Sequence, residues 1–295
     1  MQRNSIKLTK LYSACIAPDR QFVFATLAVL GYDKQMKHND KRGFTLVELS
    51  IVLVIIGLLS GGILGGQSLI HAAELRGIAT DYQSYSTATQ TFRDKYFAVP
   101  GDMVNATAFW GKSTADCNAQ TGTAATPGTC NGNGNGRMEH AAAAGGTAES
   151  FRAWQQLALA GLIPGTYTGN SGSVSTVDPD VGSNVPASKI RSVGWGYGYY
   201  DNSSGGNAYS YNYDFTNWLV LGNEADNVYP DGPFMPAEDA WNIDSKLDDG
   251  KPGYGKVQPT SLGNCTDSAN ATDRESDYLL TNTSSRCALI VDLGI

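Results

Sequence analysis

Residues 41–66 read Lys-Arg-Gly-Phe-Thr-Leu-Val-Glu-Leu-Ser-Ile-Val-Leu-Val-Ile-Ile-Gly-Leu-Leu-Ser-Gly-Gly-Ile-Leu-Gly-Gly. From Phe44 to Gly66 the only charge is Glu48. At about 1.5 Å per residue, one helix of that length crosses the ~30 Å hydrocarbon core of a bilayer. A buried core helix is the alternative, but a core helix seldom lacks a polar face over such a length. Lys34, Lys37, Lys41 and Arg42 stand just before the run. Positive flanks stay on the cytoplasmic side, so everything after the span is expected to face outward.

The charge distribution agrees. The protein has 295 residues and a net charge of −7, yet its first 43 residues hold 8 Lys/Arg against 3 Asp/Glu. The remainder is therefore −12. An acidic body argues against nucleic-acid binding, which needs clustered Lys and Arg against phosphates. His38, His71 and His140 are the only histidines and sit at no metal-ligand spacing, which argues against a zinc site or a His-based triad. No GxSxG, HExxH or P-loop pattern occurs either. A membrane-anchored enzyme is therefore disfavoured: no nucleophile has a placed base.

Basic residues, glycine, phenylalanine, then an acid at the fifth position of an apolar helix together resemble the prepilin processing site of type IV pilins and type II secretion pseudopilins. The resemblance implies cleavage between Gly43 and Phe44 by a membrane prepilin peptidase, and N-methylation of the new Phe44 amine. An ionisable group inside a membrane span is costly and usually paired. Glu48 has an obvious partner if the freed Phe44 amine of a neighbouring subunit approaches it. The bland alternative is that Glu48 only snorkels to the interface. Met36 opens a second possible start, Met-Lys-His-Asn-Asp-Lys-Arg-Gly, a short basic leader of the usual type. Residues 1–35 are read as dispensable, and the apolar run Phe22–Leu30 is too short to span.

Beyond the membrane segment the pattern becomes amphipathic. Ile78, Tyr82, Tyr85, Thr89, Phe92 and Tyr96 recur at helical spacing, and the next proline is Pro100. Phe44 to Tyr96 would make a rod on the order of 80 Å long. Many members of the family carry a proline partway along this helix; here Gly61, Gly62, Gly65 and Gly66 stand instead. They serve either as weak points in the helix or as close-packing points for a neighbour.

The head is Gly-, Asn- and aromatic-rich. Residues 112–148 and 165–188 read as loops, Glu149–Gly161 as a short helix, and Pro236–Leu247 as another. Trp195, Tyr197 and Tyr199 alternate with Gly, and Tyr209, Tyr211, Tyr213 and Phe215 with polar residues, predicting a hairpin turned at residues 201–207. Trp218–Leu221 and Cys287–Leu293 are expected as further strands. The fold class is α+β: a long N-terminal helix packed on an antiparallel sheet, pilin-like. The expected organisation is a leader over 1–43, a membrane segment over 44–66, a stem over 67–99 and a β-rich head over 100–295. Cys117, Cys130, Cys265 and Cys287 allow three pairings; Cys117–Cys130 and Cys265–Cys287 are favoured because each closes a short loop in an exported domain.

Two stretches suggest Ca2+. Asn131, Asn133 and Asn135 place an oxygen at every second residue with Gly136 sixth and Glu139 ninth, like half an EF-hand loop, but Ala142 stands where a bidentate Glu belongs. Asp239, Asp244, Asp248 and Asp249 form the second, with Lys246 and Lys251 as rival sources of compensation. Pseudopilin heads can hold calcium, so the resemblance permits it. The expected role is assembly rather than catalysis: a pseudopilus subunit in type II secretion, a minor component by the size of its head, or else a pilus subunit with an adhesive or DNA-uptake role. The expected partners are other subunits in a helical filament, the prepilin peptidase and an inner-membrane assembly platform, without nucleic acid. The expected location is the bacterial inner membrane, single-pass, with the head in the periplasm or on a surface filament.

Overall fold

The structure, a computed structural model, describes residues 45–113, 128–139, 149–170, 178–199, 211, 217–225, 229–260 and 262–295. The elements in sequence order are α1 (Leu46–Tyr96), α2 (Ala106–Trp110), α3 (Glu149–Leu159), β1 (Val193–Tyr199), β2 (Asn217–Asn223), α4 (Ala237–Leu247), β3 (Val257–Pro259) and β4 (Leu289–Asp292). The first turns of α1, up to Ile56, fall in one compact unit, and Gly57–Ile295 form a second.

The second unit holds the core. The aromatic stripe of α1 faces it as the periodicity predicts: Ile78, Thr89 and Phe92 are buried and Tyr82, Tyr85 and Tyr96 half-buried. Polar tips on this stripe find partners in the sheet. The Tyr82 hydroxyl donates to the Asp292 carbonyl at 3.1 Å, and Thr89 and Tyr197 share a buried hydroxyl–hydroxyl bond of 2.6 Å. The helix ends where Phe97 takes a left-handed backbone (φ 52°), its N–H bonding the Arg93 carbonyl at 2.8 Å. Glycine is usual at such a cap. Val99 and Pro100 follow and cannot extend the helix.

The sheet runs β1-β2-β4-β3, antiparallel throughout. All of β1 pairs with β2, from Val193 opposite Asn223 to Tyr199 opposite Asn217. Trp195 and Tyr197 point into the main core with α1 and α3. The intervening glycines leave room on the other face: a Cβ at Gly198 would meet the Trp218 ring at 2.4 Å, and one at Gly196 would meet Pro230 at 2.7 Å. The glycine–aromatic alternation therefore lets a second small cluster, Trp218, Val220 and Ile290, press flat against the sheet.

Along its whole length β1 pairs with the stretch expected as a third strand, while its expected hairpin partner, residues 209–215, falls almost wholly outside the described residues. Of those, only Tyr211 is described; it carries no strand and is buried with Leu262 and Ala271, its hydroxyl bonded to Ser276. Alternation signals one buried face per residue pair, and Tyr211 finds that burial against a loop instead of a strand. The turn at 201–207 lies outside the described residues. The helices α3 and α4 form as expected, Gly161 (φ 71°) stopping the first and Pro236 preceding the second. Neither α2 nor the short β3 was legible.

A disulfide joins Cys265 to Cys287, closing a loop of sequence separation 22 beside the bridge from Met235 to Cys287. Cys130 is also disulfide-bonded. Cys117, its expected partner, lies outside the described residues.

Candidate assembly site and head loops

The start of α1 is a capping box. The Glu48 carboxylate accepts the Thr45 backbone N–H and hydroxyl, each at 2.9 Å, while the Thr45 hydroxyl oxygen accepts the Glu48 N–H at 3.2 Å. The pattern Thr-x-x-Glu satisfies helix-end donors from both sides. Sequence reasoning treated Glu48 only as a membrane charge and missed this second job, although the spacing was there to read. Gly43 and Phe44 lie outside the described residues.

Past the cap, Leu46 through Ile63 expose large aliphatic side chains to their surroundings. The helix is long and apolar enough to cross a membrane. A Cβ at Gly57, Gly61, Gly62, Gly65 or Gly66 would meet nothing within 4 Å. Four-residue spacing of small residues is the pattern that lets a second helix approach closely in lipid.

The two calcium candidates have different geometries. In the Asn-Gly loop the three amide oxygens are already used: Asn131 Oδ1 accepts Thr107 N–H, Asn133 Oδ1 accepts Asn135 N–H and Asn135 Oδ1 accepts Arg137 N–H, each at 2.9 Å. The loop turns its backbone N–H groups inward onto the Asp102 carboxylate, from Gly134, Asn135 and Gly136. Glu139 accepts from the Asn133 side-chain amide at 3.1 Å. An inward ring of donors is an anion cradle, and its anion is Asp102. Asp102 was not singled out in the sequence; it lies at the far side of a long loop from its partners.

At the end of α4, carboxylate oxygens of Asp244, Asp248 and Asp249 lie within 4.8 Å of one another. Asp239 instead meets His71 of α1, oxygen to Nε2, at 2.8 Å. The three gathered acids have internal partners. Asp244 accepts from the Tyr278 hydroxyl at 2.9 Å and the Gly250 N–H at 3.3 Å; Asp248 accepts from the Lys256 N–H, and Asp249 from the Lys251 N–H at 2.8 Å. The Lys251 ammonium pairs with Asp277 at 2.8 Å rather than with the cluster.

Burial, with Asp249 and Asp248 adding to it, pushes the Asp244 carboxyl up to about 7, against the pull of the Tyr278 and Gly250 hydrogen bonds. The folded head thus holds a proton that the unfolded protein releases near the ordinary 3.8. Its stabilising effect is full at low pH and is lost as pH rises from about 4 to about 7, by a few kcal/mol. Melting in EDTA should show this decline, and Asp244→Asn should flatten it. Repeating the melts with Ca2+ in place of EDTA reads whether a cation takes over from the proton.

Residues 38–64 match the family model described as the prokaryotic N-terminal methylation motif. The protein bears the type IV pilin and pseudopilin signature. No curated protein and no solved structure matches it. The match covers the capping box and the exposed apolar run together; beyond it, the long helix and the antiparallel sheet make an α+β arrangement consistent with the pilin fold. The pilin signature marks a family that is usually structural and implies assembly with other pilin subunits, and a single apolar helix at this position fits an inner-membrane anchor.

Proposed function

We propose that the protein is a prepilin-type structural subunit of a type II secretion pseudopilus, and a minor component of it. The observation that carries this is the methylation motif sitting across the start of a long helix whose exposed stretch from Leu49 to Ile63 carries no charge, in a protein with a large acidic head. The prepilin peptidase cuts after Gly43 and methylates Phe44. The helix holds the subunit in the inner membrane with its head in the periplasm, until the assembly platform draws it into the filament. Glu48 meets the Phe44 amine of the adjacent subunit, which places two opposite charges together where neither is tolerable alone.

N-terminal mass spectrometry of the mature protein tests the reading. The expected terminus is N-methylated Phe44; retention of Met36–Gly43 in cells with an active peptidase would sink it. Recovery of the protein in fibres sheared from the cell surface would move it from a pseudopilus to a pilus with an adhesive or DNA-uptake role.

A further inference from the structure

Asn131-Gly132-Asn133-Gly134-Asn135-Gly136 holds three Asn-Gly pairs in series, and the sequence contains no other. Such pairs are chemically labile. The backbone nitrogen after the asparagine can attack the carbonyl carbon of the asparagine side chain, and glycine puts no Cβ in the way. A new carbon–nitrogen bond forms, the amide carbon–nitrogen bond of the asparagine breaks, and the amide nitrogen leaves as ammonia with the proton shed by the glycine nitrogen. Water then opens the succinimide to aspartate or isoaspartate. The net reaction consumes water and releases ammonia, with no change of oxidation state. It requires a glycine nitrogen free to lose its proton and turn toward the asparagine amide.

All three nitrogens are tied down. Gly132 N–H bonds the Met103 carbonyl at 2.9 Å. Gly134 N–H bonds both the Asp102 carbonyl, at 3.1 Å, and its carboxylate. Gly136 N–H bonds the other carboxylate oxygen of Asp102 at 2.7 Å. The three asparagine amide carbonyls under attack are held as well, by Thr107, Asn135 and Arg137 N–H groups. Solvent does not supply the protection, because all three asparagines are exposed while Asp102 beneath them is buried.

An ionised carboxylate as acceptor disfavours loss of the amide proton, since the nitrogen anion would form beside a negative charge. Gly134 and Gly136 have that acceptor; Gly132 has a neutral carbonyl. We propose that residues 131–136 are a latent deamidation site held shut by Asp102, with Asn133 and Asn135 guarded more strongly than Asn131. The lock is one-way. Conversion adds a carboxylate next to Asp102, or a methylene to the backbone, so a loop that has once opened and reacted does not close again. The asparagines thereby record whether a head has come undone.

The test uses the full-length protein in detergent micelles at mildly alkaline pH, native and in urea, with the peptide spanning 131–137 followed by mass spectrometry. In urea the three sites should convert at similar rates. In the native protein Asn133 and Asn135 should convert at least about tenfold more slowly than in urea, because reaction waits on local opening. Asp102→Asn, which keeps the shape and removes the charge, should raise conversion at Asn133 and Asn135 several-fold more than at Asn131. Equal acceleration at all three sites in a variant that still melts cooperatively would overturn the role of Asp102. If that variant fails to fold, the unsubstituted protein still decides: native Asn133 converting as fast as in urea overturns the proposal.

Discussion

Trp154→Ala should cost the head about 4 kcal/mol, near the upper end for truncation of a buried aromatic. Trp154 sits in the middle of α3, fully buried, where the aromatic stripe of α1 meets the sheet. Its ring lies 4.1 Å from that of Tyr197 on β1 and 4.9 Å, edge-on, from Tyr85 on α1; Tyr167 closes the far side at 6.4 Å. Removing it leaves a cavity bounded by rigid rings on three sides, and rings cannot collapse inward as aliphatic side groups do. The indole N–H finds no hydrogen-bond partner among the described residues. Trp154→Phe therefore leaves no polar group stranded and should recover much of the loss. Denaturant titration followed by circular dichroism measures both. A cost below about 1 kcal/mol for Trp154→Ala would mean that α3 is not the layer that seats α1 on the sheet.

The features legible in the sequence were those carried by short-range period. Helical spacing from Ile78 to Tyr96 and strand spacing from Trp195 to Tyr199 each record which face is buried, and both faces lie where the period puts them. Proline before α4 and glycine after α3 mark ends by backbone geometry alone. What was not legible depended on partners distant in sequence. Nothing in residues 193–199 states that β2 pairs with them along their whole length. The Asn-Gly loop shows the limit most sharply. An oxygen at every second residue suits a cation, yet the same residues in Asx turns present N–H groups to an anion, and the choice falls to Asp102, a residue outside the motif. At Glu48 the reverse occurred. A local pattern, the capping box with Thr45, was present and was overlooked because the apolar run made the charge the obvious feature.

That cap sharpens the assembly prediction. In the lone subunit the Glu48 carboxylate is held by Thr45, so pairing with a neighbour's amine means loosening or sharing those bonds. Cap and charge can be separated by substitution. Glu48→Gln keeps an acceptor for the Thr45 N–H but removes the charge; it should lower filament recovery on the order of tenfold or more while head melting stays unchanged. Thr45→Val removes the hydroxyl half of the cap and leaves the carboxylate, costing the helix start about 1 kcal/mol. With less holding Glu48 back, Thr45→Val should keep filament recovery near the unsubstituted level. Filament yield by immunoblot of sheared or cross-linked material, normalised to processed subunit in the membrane, reads both variants. Loss of filaments in Thr45→Val with normal yield in Glu48→Gln would assign residue 48 to helix capping alone, and the charge-pairing mechanism would fall.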